Sequence, residues 1–165
     1  AGAVVLGPSR DESGILSTHL HANGGISDLI YVTGGGSRDP ASEDVLSNKR
    51  CYIKMRGNET FKIAVKTMEE ATHEALKANG MTAQEVDLFI PHQANVRILR
   101  AVSQRLGISE EKVMINLDRF GNTSAASIPL ALDQAVQEGK LKRGHKVVMA
   151  AFGAGLTWAS AVVQW

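Results

Sequence analysis

From residue 60 onward the chain alternates amphipathic helical stretches with short apolar runs that stop at Gly or Pro, and few folds accept that order. Phe61, Ala64, Val65, Met68, Ala71, Ala75 and Leu76 recur at helical spacing, which predicts a helix over 60–78 with one buried stripe. Gly80 suits its C-terminal cap, and Thr82 with Glu85 forms a capping-box pattern for the next turn. Leu88-Phe89-Ile90 is an apolar run of strand length, ended by Pro91. Ile98, Leu99, Val102 and Leu106 mark a second helix over 94–106, closed by Gly107. Ser109 caps a short turn, and Val113 to Leu117 reads as extended. A third helix is expected over 123–138, then strands at 146–152 and 156–163 joined by Gly153-Ala154-Gly155. This order points to an α/β layered domain with a mixed sheet, expected to have five strands.

The first sixty residues are less regular. Residues 1–6 (AGAVVL) read as a strand already under way, so Ala1 is expected to be a cut or fragment boundary. Residues 159–165 (ASAVVQW) run as a strand to the end, which suits a natural terminus if that strand is paired. Ile15 to Ala22 alternates apolar and polar side chains, the pattern of a half-exposed strand. His19 and His21 share one of its faces; two histidines there suit a metal, but no third ligand is evident nearby, so a solvated face and no metal are expected. Asp28 to Val32 is a short strand, and residues 33–49 form a loop rich in Gly, Ser and Asp. No linker, repeat or low-complexity tract interrupts the chain, so residues 1–165 are expected to be one domain.

Composition excludes several classes. The chain has 165 residues, 44% hydrophobic and 21% charged, with net charge +1. A chain of this size buries roughly 70% of its unfolded surface and needs no covalent staples. The balanced charge gives no basic field for nucleic acid. Cys51 is the one cysteine, so no internal disulfide can form. No apolar run reaches the roughly 20 residues of a membrane span, and no signal peptide is visible. A reducing, cytoplasmic compartment is expected.

Three features at strand ends and helix starts can carry chemistry. In Pro91-His92-Gln93-Ala94-Asn95, His92 either caps the following helix or offers its imidazole to a substrate oxygen. In Phe120-Gly121-Asn122-Thr123-Ser124, Asn122 is either an N-cap or an amide donor to a developing oxyanion. Gly153-Ala154-Gly155 is either an ordinary hairpin turn or a turn whose N–H groups face a ligand. As a phosphate-binding fingerprint it fails, because no helix follows.

Taken together these strings resemble a known family. IPHQAN at 90–95, GNTSAAS at 121–127, FGAGLTWASAVVQW at 152–165, RGNETFKIAV at 56–65 and the opening AGAVVLG are similar to the C-terminal half of β-ketoacyl-acyl-carrier-protein synthase III. The resemblance runs over the whole chain, in the family's order. It implies a thiolase-like layered α/β/α fold. It also implies a decarboxylating Claisen condensation of acyl-CoA, with acetyl-CoA the expected starter, and malonyl-ACP, giving 3-ketoacyl-ACP at the start of fatty acid synthesis.

The resemblance assigns roles by position. His92 and Asn122 match the His and Asn of a Cys–His–Asn triad, and Ala154 matches a backbone N–H of the acyl oxyanion hole, where the family more often has Gly. Asn58, Phe61, Ala94 and Asn95 correspond to positions along the pantetheine and CoA channel. Arg97 corresponds to a carrier-protein docking arginine; Arg100 and Arg105 lie near it, with no acid in 93–106. No cofactor is implied, since the CoA thioester and malonyl-ACP are substrates. The nucleophilic Cys belongs to the family's first half, and Cys51 does not match it, so this chain alone is expected to be inactive. The implied partners are acyl carrier protein, acyl-CoA, a nucleophile-bearing N-terminal half and a second copy in a homodimer. Two other readings share these residues: a starter-unit synthase of a polyketide or quinolone pathway, and a non-catalytic fragment that only binds carrier protein.

Overall fold

A computed structural model describes residues 1–165. Its centre is a four-stranded mixed sheet in the order β1-β6-β5-β4. The strands are β1 (Gly14–Ala22), β4 (Leu88–Pro91), β5 (Lys146–Gly153) and β6 (Thr157–Gln164). β1 and β5 run antiparallel to β6, and β4 runs parallel to β5. A separate two-stranded ribbon pairs β2 (Ile30–Tyr31) with β3 (Lys54–Met55).

Helices cover both faces. α2 (Gly57–Ala78) and α3 (Val96–Leu106) pack on one, where Val65, Met68, Leu76, Phe89, Leu99, Val102, Val148 and Val162 form the main core. α5 (Ser127–Gln137) packs on the other, over Leu88, Ile90, Met114 and Val147. The stripe expected on α2 is there, joined by buried Thr67 and Thr72. Their hydroxyls donate to the carbonyls of Ile63 and Met68 one turn back, at 2.8 and 2.7 Å, which removes the cost of burying them. Gly107 takes the left-handed conformation (φ 69°) that ends α3. The Thr82–Glu85 capping box forms as the pattern predicts.

The structure corrects the sequence reading in four places. Residues 1–6 form no strand and lie exposed, with Val5 98% accessible. Their side chains suit a strand, but a strand exists only where its backbone finds a partner, and none reaches them. The loop expected over 33–49 contains a short helix, α1 (Glu43–Ser47), capped by Ser42, whose Oγ accepts from the Val45 N–H. His19 and His21 are half-buried rather than on a fully solvated face. Their side of β1 meets α2, where one carboxylate, Glu74, pairs with His19 Nδ1 at 3.3 Å and His21 Nε2 at 2.6 Å.

The fourth correction concerns the strand count, four in the main sheet rather than five. The segment expected to be extended from Val113 makes only a single parallel bridge, Phe89 to Val113, with the Met114 N–H donating to Phe89 O at 2.9 Å. In a parallel ladder the next bond would run from the N–H of residue 91 to Met114 O. Pro91 has no N–H, so the ladder stops. The Gln93 side chain takes its place: Nε2 donates to Met114 O at 2.9 Å, and Oε1 accepts from the Asn116 N–H at 2.9 Å. At Asn116 the chain turns into α4 (Leu117–Phe120), a single helical turn.

Candidate active site

The carboxyl end of β4, the β5–β6 turn, the start of α2 and the segment after α4 converge on one open cleft of about 1420 Å³. His92, Asn122, Ala154, Asn58, Phe61, Ala94, Asn95 and Arg97 all line it. Residues far apart in sequence are therefore brought to one surface. Arg100 is not on it: its guanidinium pairs with Glu110 at 3.1 Å. Arg105 likewise pairs with Glu69 at 2.9 Å. The acid-free run on α3 is thus partly neutralised by acids from neighbouring elements. Cys51 is half-buried and does not line the cleft.

His92 follows β4 directly. Its backbone N–H donates to Ala150 O at 2.8 Å, and its carbonyl accepts from the Ala94 N–H at 2.9 Å. The residue is fixed from both sides. It does not cap α3; Asn95 does, with Oδ1 accepting from the Arg97 N–H at 2.9 Å. Burial alone pushes the His92 pKa below the ordinary imidazole value, because desolvation disfavours the cation. The ring is therefore neutral near pH 7, with one N–H to give and no charge partner.

Asn122 is exposed at the cleft wall. Its Oδ1 accepts from the Ser124 N–H at 3.0 Å, closing a turn in which Ser124 adopts a left-handed conformation (φ 52°). A backbone N–H requires an acceptor, so this bond fixes which way the amide points. The Nδ2 hydrogens are then available to a ligand. Asn122 is not the N-cap of the 3-10 turn Ser124–Ala126, a position that Thr123 takes; its side chain instead braces the turn just before it.

Ala154 sits exposed at the tip between β5 and β6, where its carbonyl accepts from Thr157 Oγ1 at 3.3 Å. The turn is braced across the sheet by reciprocal backbone bonds between Asn23 and Leu156, at 2.8 and 3.0 Å. Arg97 lies over the Phe61 ring at 5.4 Å, a cation–π contact at the cleft wall. Lys62 and Arg97 both line the cleft, and no acidic side chain does, so the opening favours anionic ligands.

Some site features were not singled out from sequence. Phe152 and Trp158 line the cleft as well, and Trp158 stacks on His21 with ring centroids 5.6 Å apart. His21 is a lining residue whose carboxylate partner, Glu74, is distant in sequence. Gln93 is fully buried behind His92, and its neighbourhood in the string IPHQAN gives no hint of three hydrogen bonds to backbone.

With this geometry in view, comparison with known proteins is direct. The family model described as 3-oxoacyl-[acyl-carrier-protein (ACP)] synthase III C terminal matches residues 76–165. The chain is 49% identical over 165 residues to β-ketoacyl-[acyl-carrier-protein] synthase III of Roseiflexus castenholzii, covering 100% of this chain and 50% of that protein. It superposes on the crystal structure of 3-oxoacyl-[acyl-carrier-protein] synthase III from Aquifex aeolicus with TM-score 0.84 at 43% identity, covering 96% of this chain and 46% of that one. It also superposes on the priming β-ketosynthase of a polyketide biosynthetic pathway, with TM-score 0.82 at 31% identity and coverages of 95% and 46%. The chain thus spans about half the length of the relatives it matches, and its fold is the thiolase-like α/β fold of these structures with a four-stranded main sheet. It belongs to the family of 3-oxoacyl-[acyl-carrier-protein] synthase III C-terminal domains.

Proposed function

We propose that this chain supplies the decarboxylating half of a condensing enzyme that joins an acyl group from acyl-CoA, acetyl-CoA being the expected starter, to malonyl carried on acyl carrier protein. The reading rests on one observation: a neutral His92 and an oriented Asn122 amide line the same acid-free cleft. Loss of CO2 from a malonyl thioester places negative charge on the thioester oxygen. Two fixed neutral donors aimed at that oxygen stabilise the enolate more than the ground-state carbonyl. The enolate carbon then attacks an acyl-cysteine thioester, forming the new C–C bond as the thiolate leaves. That cysteine is expected from the part of the relatives that this chain does not cover. The Ala154 N–H would meet the oxygen of the acyl group.

The remaining residues fit a pantetheine arm entering between α2 and α3. Asn58 and Asn95 offer amides to its amide groups, while Phe61 and Ala94 leave a narrow apolar wall. Arg97 at the cleft would steer an acidic carrier protein; Arg100, paired with Glu110, has a weaker claim to that role. A homodimer and a single 1–165 domain joined to a nucleophile-bearing half complete the proposal. The chain contains no helix long and apolar enough to cross a membrane.

The test is a split of the two half-reactions in the chain assembled with its complementing half. His92→Ala should abolish condensation while leaving cysteine acylation near the parent rate. Equal loss of both steps would mean His92 serves the fold or the nucleophile instead. The resemblance in fold to a polyketide priming ketosynthase keeps a starter-unit role as a second reading. A preference for a longer or branched starter over acetyl-CoA would favour it. A purely carrier-binding fragment would show binding through Arg97 and no CO2 release.

A further inference from the structure

We infer that Gln93 is a positioning residue that sets His92 and Asn122 against each other, an inference that rests on the reaction just proposed. Gln93 is 0% accessible, and its side-chain amide uses both donors and accepts one bond. Nε2 donates to Pro91 O at 2.8 Å and Met114 O at 2.9 Å, and Oε1 accepts from the Asn116 N–H at 2.9 Å.

The geometry has a specific cause. Pro91 cannot donate to Met114 O, so the β4 ladder leaves that carbonyl without its backbone donor, and the Asn116 N–H bonds Gln93 rather than the Pro91 carbonyl that a continued ladder would offer. The Gln93 amide substitutes for the missing peptide group. To do so it must point inward, and the neighbouring His92 lies on the cleft side. The bond to Asn116 fixes the other donor. Asn116 O accepts from the Arg119 and Phe120 N–H groups, both at 3.1 Å, and so starts α4. The Gly121 N–H closes that turn on Leu117 O at 2.8 Å, and Asn122 follows at once. Asn116 is itself 2% accessible, and its Nδ2 donates to Gln134 Oε1 on α5 at 3.1 Å. A single buried amide therefore joins the loop bearing His92 to the base of the loop bearing Asn122. Two donors meant for one oxygen must each be held within about 0.5 Å of the productive geometry, which a rigid link between them provides.

The experiment compares Gln93→Glu and Gln93→Met. Gln93→Glu keeps an acceptor for Asn116 and retains at most one of the two donors; Gln93→Met keeps the shape and loses all three bonds. In the assembled enzyme each folded variant should lower kcat for malonyl-thioester decarboxylation about ten- to a hundredfold with KM within twofold of parent. The same substitutions made in the Asn122→Ala background should cost less than threefold further, because the geometry they disturb is already gone. Equal costs in both backgrounds, or a loss accounted for by the unfolded fraction in thermal melts, would overturn the inference. A second readout needs no activity. In the isolated chain, Gln93→Glu should shift the NMR signals of the His92 ring and the Asn122 side-chain amide, and leave the Trp158 indole unmoved. Unshifted His92 and Asn122 signals would overturn the inference on their own. If His92→Ala and Asn122→Ala leave decarboxylation intact, the proposed reaction fails instead, and the NMR result still decides the positioning role.

Discussion

Asn122 allows donor loss and turn loss to be separated by two substitutions. Its Oδ1 holds the Ser124 N–H at 3.0 Å, while its Nδ2 is the proposed donor to the enolate. Asn122→Ala removes both. Asn122→Asp keeps the oxygen, and with it the turn, but replaces the donor by a second anionic oxygen. Loss of one oxyanion donor costs about 10²–10³ in rate, or about 2.7–4 kcal/mol. Asn122→Asp should lose at least this much, since its charge would face a developing enolate in a cleft without other acids. Its thermal stability should stay near parent, whereas Asn122→Ala should lose about 1 kcal/mol with the turn hydrogen bond. The assay is CO2 release from a malonyl thioester by the assembled enzyme, beside thermal unfolding of each variant. Decarboxylation at the parent rate in Asn122→Asp would refute the donor role. A rate loss confined to Asn122→Ala and tracking its stability would show that only the turn matters.

Two further outcomes follow from charge. Burial lowers the His92 pKa, so the neutral donor persists as pH falls through the ordinary imidazole value of about 6.5, and decarboxylation should decline only below it. Stability shares the sign: the unfolded chain binds this proton at higher pH than the folded one, so stability falls as pH drops from the ordinary value through the depressed one, and His92→Gln should flatten that slope. Arg97→Glu should slow carrier-protein association about tenfold at low salt, with the difference shrinking at high ionic strength, and should leave turnover of a free pantetheine thioester within twofold.

What could be read in advance was local. The α2 stripe, the Thr82–Glu85 box and the strand stopped at Pro91 depend on neighbours within a few residues, and each formed as expected. The site strings were recognisable because each occupies a strand end or a turn, where type and spacing are constrained by backbone. Apart from the short helix α1, the failures were at long range. Residues 1–6 have strand chemistry without a strand partner. The His19 and His21 face looked solvated because Glu74, which covers it, lies on α2. The extended segment from Val113 makes only a single bridge because Pro91 withholds one N–H, and Gln93 fills that gap by reaching Met114, distant in sequence. Arg100 looked free because Glu110 comes from the turn after α3.

The proposed function has this chain stabilise the enolate independently of the nucleophile. It is tested most directly by measuring CO2 release from malonyl carrier protein in an assembled enzyme whose nucleophilic cysteine has been replaced by an unreactive residue. Release should continue with His92 and Asn122 present and fall by about 10²–10³ when either is changed to Ala. Release that ignores both substitutions would contradict it.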